Sequence, residues 1–261
     1  MFDRSGIATA IKKKYGASLQ PRWLEECIAH IEAVLLQDTQ ASTPASQPIH
    51  LEVQIRLVLE QLLHSEISSS CYPSLQIDPV SGNVASLPGH PGAFLQIQEI
   101  MDVGVSKHAM WEAVREKEDF EQRGIRPSYL PVQDDDDMES SGVFTATGTQ
   151  GRASQLGAVA PADDAPIERI PKVPRNMLKL KLTDGKTRLS AIELTQIQQL
   201  NVELPIGTKV LVRSGQILAP TGLLCLEQNS TQVLGGAPAQ YQKHDLKKRL
   251  ESYLGPNSSK R

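Results

Sequence analysis

The chain has 261 residues, 39% of them hydrophobic, so it can bury a core in one domain or in two small ones, and we expect two. The net charge of -3 conceals a basic C-terminal third, because residues 177–261 carry 12 Lys and Arg against 6 Asp and Glu. Cys27, Cys71 and Cys225 form no CxxC pair, which argues against a zinc site or a disulfide framework. No signal peptide or membrane-spanning stretch is predicted, and we expect a soluble, intracellular protein with reduced thiols.

Three stretches near the N-terminus have the apolar spacing of amphipathic helices. The first covers 5–15, the second begins at Pro21, and the third covers 51–63. Such helices bury their apolar stripes only against one another or against a neighbouring domain. Residues 1–66 are therefore predicted to form a three-helix bundle, and Trp23, on the second stripe, is predicted to be a core residue.

The amino-acid composition then changes: residues 67–92 are rich in proline and glycine, and we interpret this segment as a linker. Alternating apolar residues beyond Ala93 predict a strand, and Ser106 is a suitable N-cap for a helix that extends to Glu118. Residues 122–175 contain four consecutive aspartates and few bulky apolar residues, so this part is predicted to be largely disordered.

Alternation resumes at Met177, and the Asp184-Gly185 dipeptide predicts a hairpin with a type I′ turn. Further short strands are predicted at 209–213, 223–226 and 233–236, followed by a closing helix at 241–254 and a tail at 255–261. This order is typical of an oligonucleotide/oligosaccharide-binding (OB) barrel. The predicted fold class is α+β: a three-helix bundle at 1–66, then a five-stranded OB barrel at 93–254 with a long insertion, 106–175, between its first two strands, and a C-terminal helix.

Several short motifs, taken in this order and spacing, resemble the RecQ-mediated genome instability protein family. They are Trp23-Leu24-Glu25-Glu26-Cys27-Ile28, the tract from Met177 to Gly185, Pro205-Ile206-Gly207-Thr208-Lys209-Val210, and Val233-Leu234-Gly235-Gly236. The resemblance covers roughly 21–63 and 93–254. It implies a non-catalytic OB-fold subunit of a nuclear complex with a type IA topoisomerase III and a RecQ helicase, and leaves open whether a second small OB-fold subunit is needed.

The resemblance also implies a mechanism, in which the insertion between the first two strands modulates the DNA gate of the topoisomerase. By modulating this gate, the subunit would promote dissolution of double Holliday junctions and act in DNA replication, recombination and repair. The N-terminal part is similar as well to Tudor-domain adaptors of topoisomerase III. Because the chain ends soon after the barrel without a Tudor-like region, we expect the genome-instability subunit.

The residues themselves argue against catalysis, because six dispersed histidines accompany no HExxH, GxSxG or P-loop motif, and neither a cofactor nor a metal is expected. An autonomous single-stranded DNA-binding module is the rival interpretation. OB folds stack bases on aromatic side chains, and residues 177–236 contain no Phe, Tyr or Trp. Base stacking on the barrel is therefore not expected, whereas weak, salt-sensitive contact with phosphates stays open.

The candidate partner-binding residues fall into two groups: basic or hydroxyl side chains of the barrel, and aromatic side chains of the insertion. A single lysine is by default solvated, and an aromatic residue on a helix packs onto the barrel as readily as it binds a partner, so both alternatives stay open. The candidates for topoisomerase binding are Lys209, Thr208, Lys179, Lys181, Trp111, Phe120, Tyr129 and Phe144.

Overall fold

The computed structural model describes residues 2–39, 50–78, 83–122, 172–218, 221–241 and 246–254. Its α-helices are α1 (Arg4–Tyr15), α2 (Pro21–Thr39), α3 (Leu51–His64), the single turn α4 (Ile67–Ser70), α5 (Lys107–Gln122) and α6 (Leu246–Leu254). Its strands are β1 (Gln76–Ile77), β2 (Val84–Ser86), β3 (Ala93–Asp102), β4 (Leu178–Thr183), β5 (Arg188–Glu193), β6 (Lys209–Val212), β7 (Ile217–Leu218), β8 (Leu223–Leu226) and β9 (Thr231–Gly235). The expected α+β class is confirmed.

The main sheet has seven strands in the order β7-β8-β5-β4-β3-β6-β9. The positions of β8 and β9 show that it is curled. A flat sheet would hold them about 24 Å apart, at about 4.8 Å per strand. The chain from Leu226 to Thr231 spans at most about 19 Å, so the sheet must curl toward a half-barrel. The sheet has more strands than the five of the predicted barrel: β9 corresponds to the strand predicted at 233–236, whereas β7 was not predicted.

The predicted hairpin is present as β4 and β5, but its turn is wider than expected. Thr183 pairs with Arg188, which leaves the four residues 184–187 in the loop rather than the two of a type I′ turn. The Asp184 side chain explains the difference, because its Oδ1 accepts hydrogen bonds from the backbone N–H of Lys186 and Thr187. Its Oδ2 accepts from two backbone N–H groups of the segment before β1, so the loop is fixed from both sides.

Four helices precede the sheet, one more than predicted, and their core is continuous with one face of it. α1 ends where predicted, at Gly16, whose φ of 72° is the left-handed conformation of a helix C-cap. Trp23 lies at the edge of the helical core and is only half-buried, whereas Phe94 of β3 is fully enclosed among helical residues. The helices therefore pack directly on the outside of β3.

The segment expected to be a linker, 67–92, is structured where it is described. It contains α4 and a separate two-stranded sheet, β1 with β2, and Cys71 forms an isolated β-bridge with Leu19. The barrel has its own hydrophobic core, made by the inward-facing residues of β3, β4 and β5 together with side chains of α5 and α6. All three cysteines are buried and unpaired.

Candidate protein-docking site at the insertion root

The long insertion leaves the barrel at the end of β3 and returns at the start of β4, and we call this point the insertion root. The buried carboxylate of Asp102 binds the backbone at both ends of the insertion. It accepts hydrogen bonds from the backbone N–H of Gly104 at 2.8 Å, of Asn176 at 2.5 Å and of Met177 at 3.3 Å. Such charge-assisted bonds are roughly twice as strong as neutral ones. The departing and the returning chain are thus fixed side by side.

A nearly buried ion pair adds a second anchor on the returning chain. Arg175 lies 2.5 Å from Glu193, with side-chain exposures of only 14% and 2%. Arg175 also donates to the carbonyl of Ile197 at 3.0 Å, and Glu193 accepts from the backbone N–H of Leu178 at 3.4 Å. The Nε and Nη1 atoms of Arg175 are buried without a partner among the described residues. The carboxylate is therefore the principal compensation for this guanidinium charge.

Helix α5, the first part of the insertion, packs onto the barrel rather than extending into solvent. Trp111 is 7% exposed and belongs to the barrel core, with the His108 ring stacked 6.3 Å away and Arg115 5.6 Å above it. Of the two alternatives for Trp111, packing is therefore the one that the structure supports. Phe120, one of the other candidate partner contacts, is half-buried on the same helix.

Helix α6 packs against α5 and against the barrel beside the root. Leu246 and Leu250 are buried in the barrel core, and Lys247 forms an ion pair with Glu118 of α5. The Tyr253 hydroxyl donates a hydrogen bond of 2.8 Å to Glu99 of β3. The predicted C-terminal helix is thus present and supports the helix with which the insertion begins.

An exposed apolar row crosses the mouth of the barrel at the root. The β3–β4 register places Val103 beside Met177, and the β4–β5 register, continued by two pairs, places Met177 opposite Leu194. These three side chains, which we call the rim row, are 51%, 39% and 54% exposed. Contiguous exposed apolar side chains of this kind are typical of protein interaction sites.

Two of the predicted docking residues continue from the rim row along β4. Met177, Lys179 and Lys181 alternate with inward-facing leucines, so all three point outward on the same face. Lys181 forms a 2.6 Å ion pair with Glu99, and this hydrogen bond is the largest cause that lowers the pKa of Glu99. The outer face of β4 therefore presents an apolar end followed by two cations.

The other two barrel candidates lie inside the protein. Thr208 is 1% exposed and donates its hydroxyl to the carbonyl of Pro205 at 2.6 Å. Lys209 is fully buried, and its ammonium donates to the carbonyls of Gly207 at 2.9 Å and Leu63 at 3.2 Å. Burial lowers the pKa of Lys209 to about 8, against the raising effects of nearby Glu66 and Cys71. Neither side chain offers a surface to a partner, so Lys209 joins α3 to the barrel instead.

The remaining aromatic candidates, Tyr129 and Phe144, lie outside the described residues, as do the four consecutive aspartates. Sequence reasoning missed Asp102, Arg175 and Glu193. The signal that could have indicated them is weak: charged residues at the ends of apolar strands that flank a long irregular segment.

In the part of the chain that the structure describes, no cluster of three or more His, Cys, Asp or Glu side chains is arranged to hold a metal ion. Among the same residues, no helix is long and apolar enough to span a membrane.

The family model described as RMI1, N-terminal OB-fold domain, matches residues 63–249. The chain belongs to this family. The match covers the curled sheet, the insertion and the first four residues of α6, and it confirms the family resemblance and the OB fold.

Curated relatives named RecQ-mediated genome instability protein 1 share about a quarter of their residues with the chain. The Mus musculus protein is 26% identical over 230 residues, 88% of this chain and 30% of the relative. The Schizosaccharomyces pombe protein is 23% identical over 250 residues, 94% of this chain and 93% of the relative. The chain thus spans about a third of the length of the mouse relative. A Tudor domain-containing protein 3 of Xenopus tropicalis is 34% identical over 99 residues, 38% of this chain and 13% of the relative.

Proposed function

We propose that this protein is a non-catalytic scaffold subunit of a nuclear complex that contains a type IA topoisomerase III and a RecQ-family helicase. In this role it modulates the DNA gate of the topoisomerase and promotes dissolution of double Holliday junctions. The name of its relatives, RecQ-mediated genome instability protein 1, supports the RecQ context. The observation that carries the docking part is the insertion root, where both ends of a long insertion are fixed beside the rim row.

The root suits gate control because it is a rigid base at which a long insertion begins and ends. A ligand shifts a two-state equilibrium only if it binds the two states with different affinities. A rim row that docks on one part of the topoisomerase holds the insertion at a fixed distance from the moving part. The insertion can then contact one gate state better than the other.

The docking step is tested by placing charges in the rim row. Met177→Asp together with Leu194→Asp should weaken binding of topoisomerase III by about tenfold or more, since buried apolar anchors dominate interface energies. Binding is measured by co-purification and by titration with the purified enzyme. Ile77→Asp with Leu218→Asp is a matched control, because these side chains are similarly exposed, at 47% and 38%, on other strands. Equal binding by both double variants would sink the docking proposal.

Gate control needs a separate test, because docking alone does not establish it. A variant in which residues 123–171 are shortened, so that α5 and the Arg175 anchor are kept, should still bind the topoisomerase through the rim row but lose its effect on decatenation. If the shortened variant supports decatenation as well as the intact chain, the insertion has no part in the gate.

A second candidate is an adaptor of the Tudor-domain type, which the 34% identity to Tudor domain-containing protein 3 over 99 residues favours. The two candidates differ in the form of topoisomerase III that is bound. Titration of this chain against both eukaryotic forms distinguishes them, because the scaffold proposal requires preference for the form that works with RecQ helicases.

A further inference from the structure

The loop that follows β5 carries an exposed threonine directly beside the rim row. Leu194, Thr195 and Gln196 are three consecutive exposed residues in an irregular segment between β5 and β6. The chain is anchored on both sides of them, because the N–H of Leu194 donates to the carbonyl of Leu226 at 2.9 Å and Ile197 is buried in the barrel core. The threonine therefore lies on a fixed base next to the most exposed side chain of the rim row.

The hydroxyl group of Thr195 is held in place without using its proton. Its Oγ1 accepts a hydrogen bond of 3.3 Å from the backbone N–H of Gln228. Within the described ranges the hydroxyl donates no hydrogen bond in return. An accessible hydroxyl whose oxygen is positioned and whose proton can leave suits the acceptor role in phosphoryl transfer.

Thr195 is followed directly by glutamine, which is the recognition requirement of one class of protein kinases, here called glutamine-directed kinases. The chain contains six Ser-Gln or Thr-Gln dipeptides, with acceptors Thr39, Ser46, Thr149, Ser154, Thr195 and Thr231. Its 22 serines, 12 threonines and 21 glutamines among 261 residues predict about three such dipeptides by chance. The dipeptide thus occurs about twice as often as the composition requires.

The structure distinguishes the two of these acceptors whose side chains it describes. Thr231 is 6% exposed in β9, and its Oγ1 is buried. A side chain inside a paired strand cannot enter the active site of a kinase while the protein is folded. Thr195 is exposed, as are the residues before and after it. Of the two, Thr195 is therefore the accessible acceptor.

The sequence on either side of Thr195 offers no free cation to a phosphate group. Residues 189–208 and 214–242 contain no Lys or Arg. Arg175 contacts this loop through the carbonyl of Ile197, but its side chain is only 14% exposed and is paired with Glu193. A phosphate on Thr195 therefore finds no local partner to neutralise it.

Charges on the neighbouring strands point the same way. Lys179 lies opposite Ile192, three residues of strand or about 10 Å from Thr195, which is beyond direct contact. Glu227 is exposed in the loop that donates to the Thr195 hydroxyl, and it forms no ion pair within the described part of the chain. A phosphate here adds to an existing negative charge.

We propose that Thr195 is a phosphorylation site, and that its modification by a glutamine-directed kinase weakens docking of the topoisomerase on the rim row. The γ-phosphoryl group of ATP is transferred to Oγ1. The new bond between phosphorus and Oγ1 forms as the bond from the γ-phosphorus to its bridging oxygen breaks, ADP leaves, and the hydroxyl proton passes to the base of the kinase. The effect on docking rests on the proposed function, because it regulates the same site.

The expected direction follows from the position of the phosphate beside Leu194. A phosphothreonine carries a charge of about -1.5 to -2, and in an apolar interface it acts by repulsion and by the cost of losing its hydration. A partner that covers Leu194 must either dehydrate this dianion or stay away from it. The phosphorylated protein should therefore bind topoisomerase III more weakly, by about tenfold or more.

The modification itself is tested on the intact, folded chain. It is incubated with ATP and a purified DNA-activated protein kinase of the glutamine-directed class, and mass spectrometry gives the occupancy of each site. Thr195 should be phosphorylated, whereas Thr231 should stay unmodified. Gln196→Ala, with an unchanged circular dichroism spectrum, should slow phosphorylation of Thr195 by about tenfold or more. An unmodified Thr195, or faster modification of Thr231, would overturn the assignment of the site.

The effect on docking is tested with phosphothreonine introduced at position 195 during translation. The matched control carries it at Thr221, an exposed threonine before β8, at the end of that strand remote from Leu226 and the rim row. Topoisomerase III is titrated against the unmodified chain and both modified forms. Phosphate at Thr195 should weaken binding by about tenfold or more, and phosphate at Thr221 by less than about twofold. Equal binding of all three forms, or equal weakening at both positions, contradicts local regulation.

The outcomes also separate this inference from the proposed function. If Met177→Asp with Leu194→Asp loses topoisomerase binding while phosphate at Thr195 has no effect, docking on the rim row stands and its regulation by Thr195 is wrong. If neither change affects binding, the docking proposal is wrong and its regulation falls with it. The kinase experiment decides the modification site in either case, because it requires no topoisomerase.

Discussion

Lys209 places an ammonium group in a fully buried position between the end of α3 and β6. Because burial lowers its pKa from 10.5 to about 8, the folded protein releases this proton at a pH where the unfolded chain keeps it. The unfolded state binds more protons between about pH 8 and 10.5, so the free energy of unfolding rises with pH in that window. Relative to Lys209→Met, the unsubstituted protein should gain up to about 3 kcal/mol there, measured by urea denaturation.

Lys186→Met is the control, because Lys186 is exposed in the hairpin loop and should show no such gain. If the difference in unfolding free energy between the unsubstituted protein and Lys209→Met stays constant across this pH window, the ammonium group is not buried as described.

The sequence could not indicate that Lys209 is buried and joins α3 to the barrel. The signal at 209–212 is a short strand that begins with a lysine, and a lone lysine is usually solvated. That all four residues are buried follows from the helices on the outer face, which local sequence does not reveal.

At the scale of elements, the insertion root is held by the pair of Arg175 and Glu193, whose removal is expected to be asymmetric. Glu193→Ala leaves a nearly buried guanidinium without its carboxylate and should cost about 3 to 5 kcal/mol of unfolding free energy. The double variant Arg175→Met, Glu193→Met should recover part of that loss, because it removes the uncompensated charge but also the carboxylate that accepts from the backbone N–H groups of Leu178 and Ile197. Chemical denaturation of the single and double variants measures both values.

The control is a more exposed ion pair, that of Lys117 and Glu203, whose side chains are 29% and 45% exposed. Removing the carboxylate of this pair should lower the free energy of unfolding by about 1 kcal/mol or less. Equal losses at the two pairs would contradict the prediction that the buried pair stabilises the insertion root more than an exposed pair does. Apolar spacing predicted α1, α2, α3, α5 and α6, and alternation together with the Asp184-Gly185 dipeptide predicted the hairpin, because those elements depend on local sequence. The root joins residues more than seventy positions apart, such as Asp102 and Asn176, and local patterns do not encode such contacts.

At the scale of the whole molecule, the helices and the barrel are joined by buried contacts that the sequence did not predict. Phe94 of β3 lies in the helical core, and the Gln96 amide donates to Glu66 at 2.8 Å while accepting from the Ile67 N–H at 3.0 Å. The sequence predicted two domains joined by a linker at 67–92, because segments rich in proline and glycine are typical of linkers. An interface between two domains depends on side chains that are far apart in the sequence, so composition could not predict this one.

Because of this shared interface, the helices and the barrel should unfold in one cooperative transition. The two tryptophans report on the parts separately, since Trp23 lies at the helical core and Trp111 in the barrel core. In Trp23→Phe and in Trp111→Phe, the urea midpoint from the remaining tryptophan's fluorescence should coincide with the midpoint from far-ultraviolet circular dichroism. An earlier fluorescence midpoint in Trp111→Phe alone would mean that the helices detach before the barrel unfolds. Coincident midpoints in both variants mean that the contacts of Phe94, Gln96 and Lys209 make the helical part and the barrel a single folding unit.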